Sequence, residues 1–215
     1  ECWNVQTEGS FTLSNTKTSL IIVEDKVIFN NSVGEITAVN IETGMLLWQL
    51  PTQNSNIIYE TYNFKTSELV ADGNSIYFSN NKDQFYSIDL NSGSINWINK
   101  INSNFPPIII ENLIFTISNE GFLFVIEKSN GKIIRITDAY KQYKTKNRSQ
   151  IKPIGFSIGN KNLYLTNSDG KIIIIDLSLG DIIKTEQVSG SLVSKPLIFQ
   201  NNLYLIRNGK IDKYN

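Results

Sequence analysis

The sequence predicts an all-β protein built from repeated four-stranded antiparallel sheets. Short runs rich in Ile, Val, Leu, Phe and Tyr alternate with clusters of Asn, Ser, Asp and Gly, and no segment shows the period of an amphipathic helix. The stretch Gly34–Trp48 is typical of a strand, a glycine turn and a second strand that ends on tryptophan. It recurs with the same internal spacing in Asp83–Trp97, Gly121–Arg135 and Gly170–Lys184. Such an internal repeat indicates that each copy is one structural unit.

Each complete repeat is expected to contain four strands joined by tight turns. In the first two repeats we expect strands at Leu20–Val23, Val27–Asn30, Glu35–Ile41 and Met45–Leu50, then at Glu68–Val70, Ser75–Ser79, Gln84–Leu90 and Ser94–Ile98. In the next two we expect them at Pro107–Ile110, Leu113–Ser118, Phe122–Glu127 and Lys132–Thr137, then at Ile154–Ile158, Asn162–Thr166, Lys171–Leu177 and Asp181–Glu186. Because a four-stranded meander cannot bury both faces alone, the repeats must pack face to face, which predicts a β-propeller.

Glycine and polar residues recur in the turn before the fourth strand. A tight turn requires positive φ, which glycine adopts without steric cost, so we assign a structural role to these glycines. They are Gly44, Gly93, Gly131 and Gly180. A polar residue that closes a strand more often hydrogen-bonds its own turn than acts as an acid or a metal ligand. We therefore prefer a structural role in the turn to a catalytic or metal-binding role for Asn40, Asp89, Glu127 and Asp176.

The two ends of the chain have complementary strand patterns. Lys195–Phe199, Asn202–Ile206 and Gly209–Asn215 supply three further strands. Residues 1–5 resemble a fourth strand, with Trp3 in the position of Trp48 and Trp97. We therefore expect one domain over residues 1–215 with about five blades, the last blade being closed by both termini.

Composition excludes several classes of function. The chain has 20 Lys and Arg against 20 Asp and Glu, so no global field would steer it to nucleic acid. It has no histidine, and its single cysteine, Cys2, excludes an internal disulfide and a cysteine metal cluster. The sequence contains no run of about 18 apolar residues, so we expect no membrane span. We expect no enzyme activity and no catalytic, cofactor-binding or metal site.

Two of the repeats resemble a known family. Ala38–Trp48 and Tyr86–Trp97 resemble the pyrroloquinoline-quinone-type (PQQ-like) propeller repeat, and Ile174–Gly180 matches it without the tryptophan. That family includes quinoprotein dehydrogenases and the BamB-type outer-membrane assembly lipoproteins. The resemblance implies that the tryptophans dock against the next blade, and that the chain is alternatively a segment of a larger, eight-bladed propeller. Where Arg135 and Lys184 replace tryptophan, less area is buried, so we expect looser junctions.

Two long connections on one predicted face are the candidate partner-binding surface, because loops on a rigid scaffold commonly bind. Tyr and Arg are favoured anchors of interfaces, and the segment 138–152 supplies Tyr140, Lys141, Tyr143, Lys144, Lys146 and Arg148. The other connection supplies Tyr59, Tyr62 and Phe64. A solvated charged loop is an equal alternative for the first connection, and the aromatic residues of the second could instead plug the ring.

These observations lead to a functional hypothesis. We expect a non-catalytic scaffold that binds a protein partner and, by the resemblance, acts like BamB in outer-membrane protein assembly in the periplasm or at the outer membrane. The alternative is a degenerate quinoprotein that binds a quinone cofactor or calcium. The segment Asn167–Gly170 faintly resembles a calcium loop, but it lacks the first ligand and the distant Glu, which favours a hairpin turn.

Overall fold

The computed structural model describes residues 2–7, 18–31, 34–52, 66–80, 83–190 and 193–214. Within these residues, nineteen strands form five antiparallel sheets in which the strands follow chain order, and one short helix is present. The all-β class with repeated antiparallel sheets is therefore confirmed. The chain divides into two compact units, residues 1–107 with 129–131 and residues 108–128 with 132–215. The single domain over residues 1–215 stays a prediction.

The first unit contains two four-stranded sheets. Sheet 1 consists of β1 (Leu20–Val23), β2 (Lys26–Asn30), β3 (Glu35–Asn40) and β4 (Leu46–Pro51). Sheet 2 consists of β5 (Val70–Asp72), β6 (Ser75–Asn80), β7 (Gln84–Asp89) and β8 (Ile95–Lys100). The central strands are mostly buried because both of their faces are covered, and Ile28, Trp48 and Phe78 belong to one core cluster shared by the two sheets.

The second unit contains three sheets. Sheet 3 consists of β9 (Ile108–Ile110), β10 (Leu113–Ile117), β11 (Phe122–Glu127) and β12 (Ile133–Asp138). The helix α1 (Thr145–Arg148) precedes sheet 4, which consists of β13 (Pro153–Gly159), β14 (Asn162–Asn167), β15 (Lys171–Asp176) and β16 (Ile182–Gln187). Sheet 5 consists of β17 (Leu197–Phe199), β18 (Asn202–Arg207) and β19 (Lys210–Tyr214).

A register shift recurs in the fourth strand of every four-stranded sheet. In sheet 1 it separates the pairs Ala38↔Trp48 and Val39↔Leu46, which leaves Leu47 as the extra residue. The other three sheets have the same shift at the equivalent position. A β-bulge increases the local twist and turns the next side chain in a new direction. It therefore directs the residue at the tryptophan position of each repeat.

The predicted strand positions agree with the observed ones to within one or two residues, and Leu20–Val23 and Phe122–Glu127 coincide. The helix α1 was not predicted from the sequence. Sheet 5 contains three strands among the described residues, and residues 2–7 are not in a strand. Completion of that sheet by the start of the chain is thus not confirmed. No helix in the described part of the chain is long and apolar enough to cross a membrane.

Candidate functional site

Tryptophan side chains dock on turn glycines in the first unit. The indole nitrogen Nε1 of Trp3 donates a hydrogen bond to the Ile41 carbonyl at 3.0 Å, and that of Trp48 donates to the Leu90 carbonyl at 3.0 Å. Their rings lie against Gly44 and Gly93, where an added Cβ would approach ring carbons to 2.7 and 2.6 Å. These turns require glycine both for positive φ and for close approach of the ring.

Trp97 makes the same contact with Gly131, where an added Cβ would lie 2.6 Å from its ring. Gly131 belongs to the short segment 129–131 of the first unit. The Trp97 ring also lies 6.0 Å from Tyr77 and 6.0 Å from Phe85, measured between ring centroids. Trp3, Trp48 and Trp97 thus pack against the turn glycines Gly44, Gly93 and Gly131.

Arg135 replaces tryptophan in the second unit but reaches the equivalent carbonyl. Its stem lies over Gly180, its Nη1 donates to the Ser178 carbonyl at 2.7 Å, and its Nη2 donates to the Leu177 carbonyl. Leu177 holds the position that Ile41 and Leu90 hold in sheets 1 and 2. The guanidinium group thus restores the polar contact of the indole, which the prediction of a looser junction did not anticipate.

The residue paired across the sheet with each docking side chain changes with that side chain. Trp48 pairs with Ala38 and Trp97 pairs with Ser87, both small residues. Arg135 pairs with Val125, and the exposed Lys184 pairs with Ile174. A small partner leaves room for a bulky ring, whereas a branched aliphatic partner fills part of the space that a thin cationic stem leaves open.

Clefts lie at both junctions where tryptophan is replaced. A cleft of about 730 Å³ between sheets 3 and 4 includes Phe115, Val125 and Arg135 in its lining. A second cleft of about 480 Å³ lies between sheets 4 and 5 beside Lys184, whose ammonium group is 2.7 Å from the Glu186 carboxylate. We call the first of these the Arg135 cleft.

Three of the polar residues before the turn glycines, Asn40, Asp89 and Asp176, bind their own turns. The side-chain oxygen of Asn40 accepts hydrogen bonds from the backbone N–H groups of Glu42 and Thr43. Asp89 and Asp176 accept the equivalent bonds at the same place in their repeats. The backbone bond from Ser92, with further bonds in that turn, lowers the pKa of the Asp89 carboxyl. No group of three or more acidic, histidine or cysteine residues that could hold a metal occurs within the described ranges.

The predicted partner-binding loop between β12 and β13 is anchored by a buried tyrosine. Tyr140 is fully buried, and an added Cβ at Gly121 would lie 2.3 Å from its ring. Its hydroxyl donates to the Asn167 side-chain oxygen at 2.7 Å, and burial raises the pKa of this phenol above its ordinary value. The expectation that Tyr140 offers a surface to a partner is therefore corrected, because non-local packing against a glycine turn draws it into the interior.

The other anchors of the loop are polar. Tyr143 is half-buried, packs edge-on against Tyr140 with ring centroids 5.5 Å apart, and donates to Asp169 at 3.0 Å. Burial, and secondarily the Asp169 charge, raises the pKa of the Tyr143 phenol. Arg148 at the end of α1 pairs with Asp138 at the end of β12. The loop is consequently tied to sheet 4 and to sheet 3 at separate points.

The remaining predicted residues of this loop are exposed. Lys141, Lys144 and Lys146 present three ammonium groups on the surface that the anchors support. The predicted aromatic residues of the other connection lie outside the described residues; they are Tyr59, Tyr62 and Phe64. The described part of the predicted surface is therefore the exposed lysines of this loop.

Sequence comparison places these features in a family. The family model described as outer membrane protein assembly factor BamB matches residues 1–137. The chain belongs to the BamB family. It is 26% identical over 199 residues to an outer membrane protein assembly factor BamB of Legionella pneumophila, with 88% of this chain and 48% of that protein aligned. It is 23% identical to the uncharacterized protein RP232 of Rickettsia prowazekii, with 89% of this chain and 50% of that protein aligned.

Solved structures agree with the propeller class. BamB from Moraxella catarrhalis superposes with a TM-score of 0.55 at 15% identity, covering 90% of this chain and 70% of that one. The β-propeller domain of Cps50 (Swd1) from Myceliophteria thermophila gives 0.64 at 12% identity, covering 92% of this chain and 64% of that one. The predicted PQQ-like, BamB-like repeat is thus confirmed. The chain spans about half the length of the curated relatives it matches, in agreement with the alternative of a propeller segment.

Proposed function

We propose that this BamB-family propeller chain is a non-catalytic scaffold that binds a protein partner during outer-membrane protein assembly, in the periplasm or at the outer membrane. Membership of the BamB family supports the process and the compartment. The observation that supports binding is the anchored loop 138–152, in which Lys141, Lys144 and Lys146 are exposed while Tyr140 is buried. A partner with an acidic patch fits this surface.

The anchors favour binding because they reduce the cost of ordering the loop. Each side chain or segment that must be immobilised on association costs free energy, of the order of 0.5–1.5 kcal/mol per flexible side chain. Tyr140 and Tyr143 already hold the backbone of the loop through Asn167 and Asp169. The partner therefore meets a preformed surface, and what remains to be ordered are the lysine side chains.

The lysines act mainly on the rate of association. Charges at the rim of an interface steer the encounter and make it sensitive to salt, and they contribute less to the final affinity than buried anchors do. We therefore expect capture of the partner to weaken as ionic strength rises. The chain contains no histidine, the commonest general base, in line with a role in binding rather than catalysis.

A charge-reversal experiment tests the loop. The variant Lys141→Glu, Lys144→Glu and Lys146→Glu should capture less of its partner from a detergent extract of the source membranes, with captured proteins identified by mass spectrometry. A matched control reverses three exposed lysines elsewhere, Lys100, Lys210 and Lys213. Equal loss in both variants would show a net-charge effect, and undiminished capture by the loop variant would remove the loop from the proposal.

A further inference from the structure

The Arg135 cleft is a second candidate binding site, distinct from the loop. It is lined by the β9–β10 and β13–β14 hairpins and by the β15–β16 turn, whereas the loop 138–152 leaves the opposite end of sheet 3. Its volume of about 730 Å³ falls within the roughly 300–1,000 Å³ usual for ligand pockets. Both sheets that form it have four strands.

The cleft exists because Arg135 fills less space than an indole. At the junction of sheets 1 and 2, the Trp48 ring covers Gly93 and is 8% exposed. Between sheets 3 and 4, Gly180 is covered by Cδ and Nε of Arg135 and by the Thr137 hydroxyl, and the row Phe115–Val125–Arg135 lines the cleft beside it. The space is therefore a consequence of the substitution within the repeat.

The charges around the cleft do not favour an ionic ligand. Two of the five N–H donors of the Arg135 guanidinium, one each on Nη1 and Nη2, already donate to backbone carbonyls, and Nε is buried, which leaves a poor arrangement for the paired bonds that a carboxylate or phosphate forms. Glu111 and Lys161, both exposed and on opposite walls, carry opposite charges. What the cleft offers instead is an apolar surface next to a cation that is held in place by the β15–β16 turn.

An aromatic ring suits both the apolar surface and the neighbouring cation. The face of an aromatic ring is electron-rich and stacks on a planar guanidinium, while its carbon surface packs on apolar walls. Phe115 and Leu113 provide such a wall on sheet 3, and Ile158 provides one on sheet 4. At the rim, Ile110 is 40% exposed and Ile134 is 55% exposed, an apolar border of the kind that a protein interface covers.

We propose that the Arg135 cleft receives an aromatic side chain, Trp or Tyr, of a protein partner, which stacks on the Arg135 guanidinium. This site uses no residue of the loop 138–152. Arg135 takes part in it as an anchored cation, held in place by the β15–β16 turn rather than by the ligand.

The test uses the whole chain and a defined probe, N-acetyl-tryptophanamide, followed by saturation-transfer NMR and titration of protein methyl resonances. We expect binding with shifts confined to Ile110, Leu113, Ile134 and Ile158. The aliphatic probe N-acetyl-leucinamide should bind more weakly. Absence of tryptophanamide binding, shifts elsewhere, or equal binding of the two probes would overturn the proposal.

The variant Arg135→Met tests the stacking, because it keeps an unbranched apolar stem and removes the cation. Binding should fall roughly two- to thirty-fold, the range expected for loss of a cation–π contact. Arg207→Met, at an ion-paired arginine of sheet 5, is the matched control and should leave binding unchanged. Unaltered binding by a folded Arg135→Met chain would overturn the role of Arg135. The loop charge-reversal variant should retain full probe binding, so failure of one proposal is distinguishable from failure of the other.

Discussion

Replacing Gly93 by alanine should destabilise the first unit through the contact between Gly93 and Trp48. Two costs add. A non-glycine residue at φ +70° costs about 1–2 kcal/mol. The added Cβ would also lie 2.6 Å from carbons of the buried Trp48 ring, which cannot move aside without leaving its pocket. Displacing the ring sacrifices part of the roughly 3–5 kcal/mol that a buried tryptophan contributes and the hydrogen bond to Leu90.

Gly73 provides the matched control, since it also has positive φ but no atom lies within 4 Å of its added Cβ. Gly73→Ala should therefore cost only the backbone strain, about 1–2 kcal/mol. We expect Gly93→Ala to cost about 3–5 kcal/mol, a difference of about 2–3 kcal/mol between the variants. In urea this difference corresponds to a midpoint shift of about 1–1.5 M for an m-value near 2 kcal/mol/M.

Urea denaturation followed by far-ultraviolet circular dichroism measures both variants. In a Trp48→Ala background, Gly93→Ala should cost no more than Gly73→Ala does, because the ring that the Cβ meets is gone. If Gly93→Ala and Gly73→Ala are equally destabilising in the wild-type background, the glycine is needed only for its backbone conformation, and the docking argument fails.

Three other predictions concern hydrogen bonds. Arg135→Ala should lower the free energy of unfolding by about 1–3 kcal/mol, through two lost charged bonds to carbonyls, as measured by urea denaturation. Tyr140→Phe should cost about 1–2 kcal/mol in the same assay, because it leaves the buried Asn167 oxygen without this donor. The Asp89 pKa is lowered by the bond from Ser92, so its contribution to stability is complete above the unfolded pKa of about 3.9 and disappears as pH falls through the folded pKa. Asp89→Asn should lack this loss in denaturation curves taken between pH 5 and 2.

Local pattern sufficed to predict the strands and turns. Gly44 and Gly180 are required by φ values that the turn itself imposes, and Asn40 binds groups two and three residues away, so neighbouring sequence contains the necessary information. The recurring bulge was not predicted, because it is one residue long and interrupts no apolar pattern. Its effect appears only in the direction of the following side chain.

Features that depend on distant residues were harder to predict. Tyr140 stands among lysines and polar residues, which is typical of an exposed loop, yet its burial is decided by Gly121 in another turn and by Asn167 at the end of β14. Likewise, the absence of tryptophan at position 135 predicted a less filled junction, but the contact of the guanidinium with the Leu177 carbonyl required the geometry of the next sheet. The sequence thus showed where the repeat loses its tryptophan, but not which contact takes the place of the indole hydrogen bond.

The departures from the repeat are coordinated rather than a simple loss of the tryptophan. If Trp had been replaced without change elsewhere, the small partner that suits a ring, as Ala38 suits Trp48, would leave an unfilled space in the sheet. Instead the larger Val125 pairs with Arg135 and fills part of the space within the sheet. The guanidinium group meanwhile keeps a hydrogen bond to the Leu177 carbonyl in the turn. The space that remains lies at the surface between hairpins, where water or a partner can enter, rather than in the core. A junction of this type buries less apolar area and has an accessible cleft. The repeats without tryptophan are therefore the places where binding should be sought.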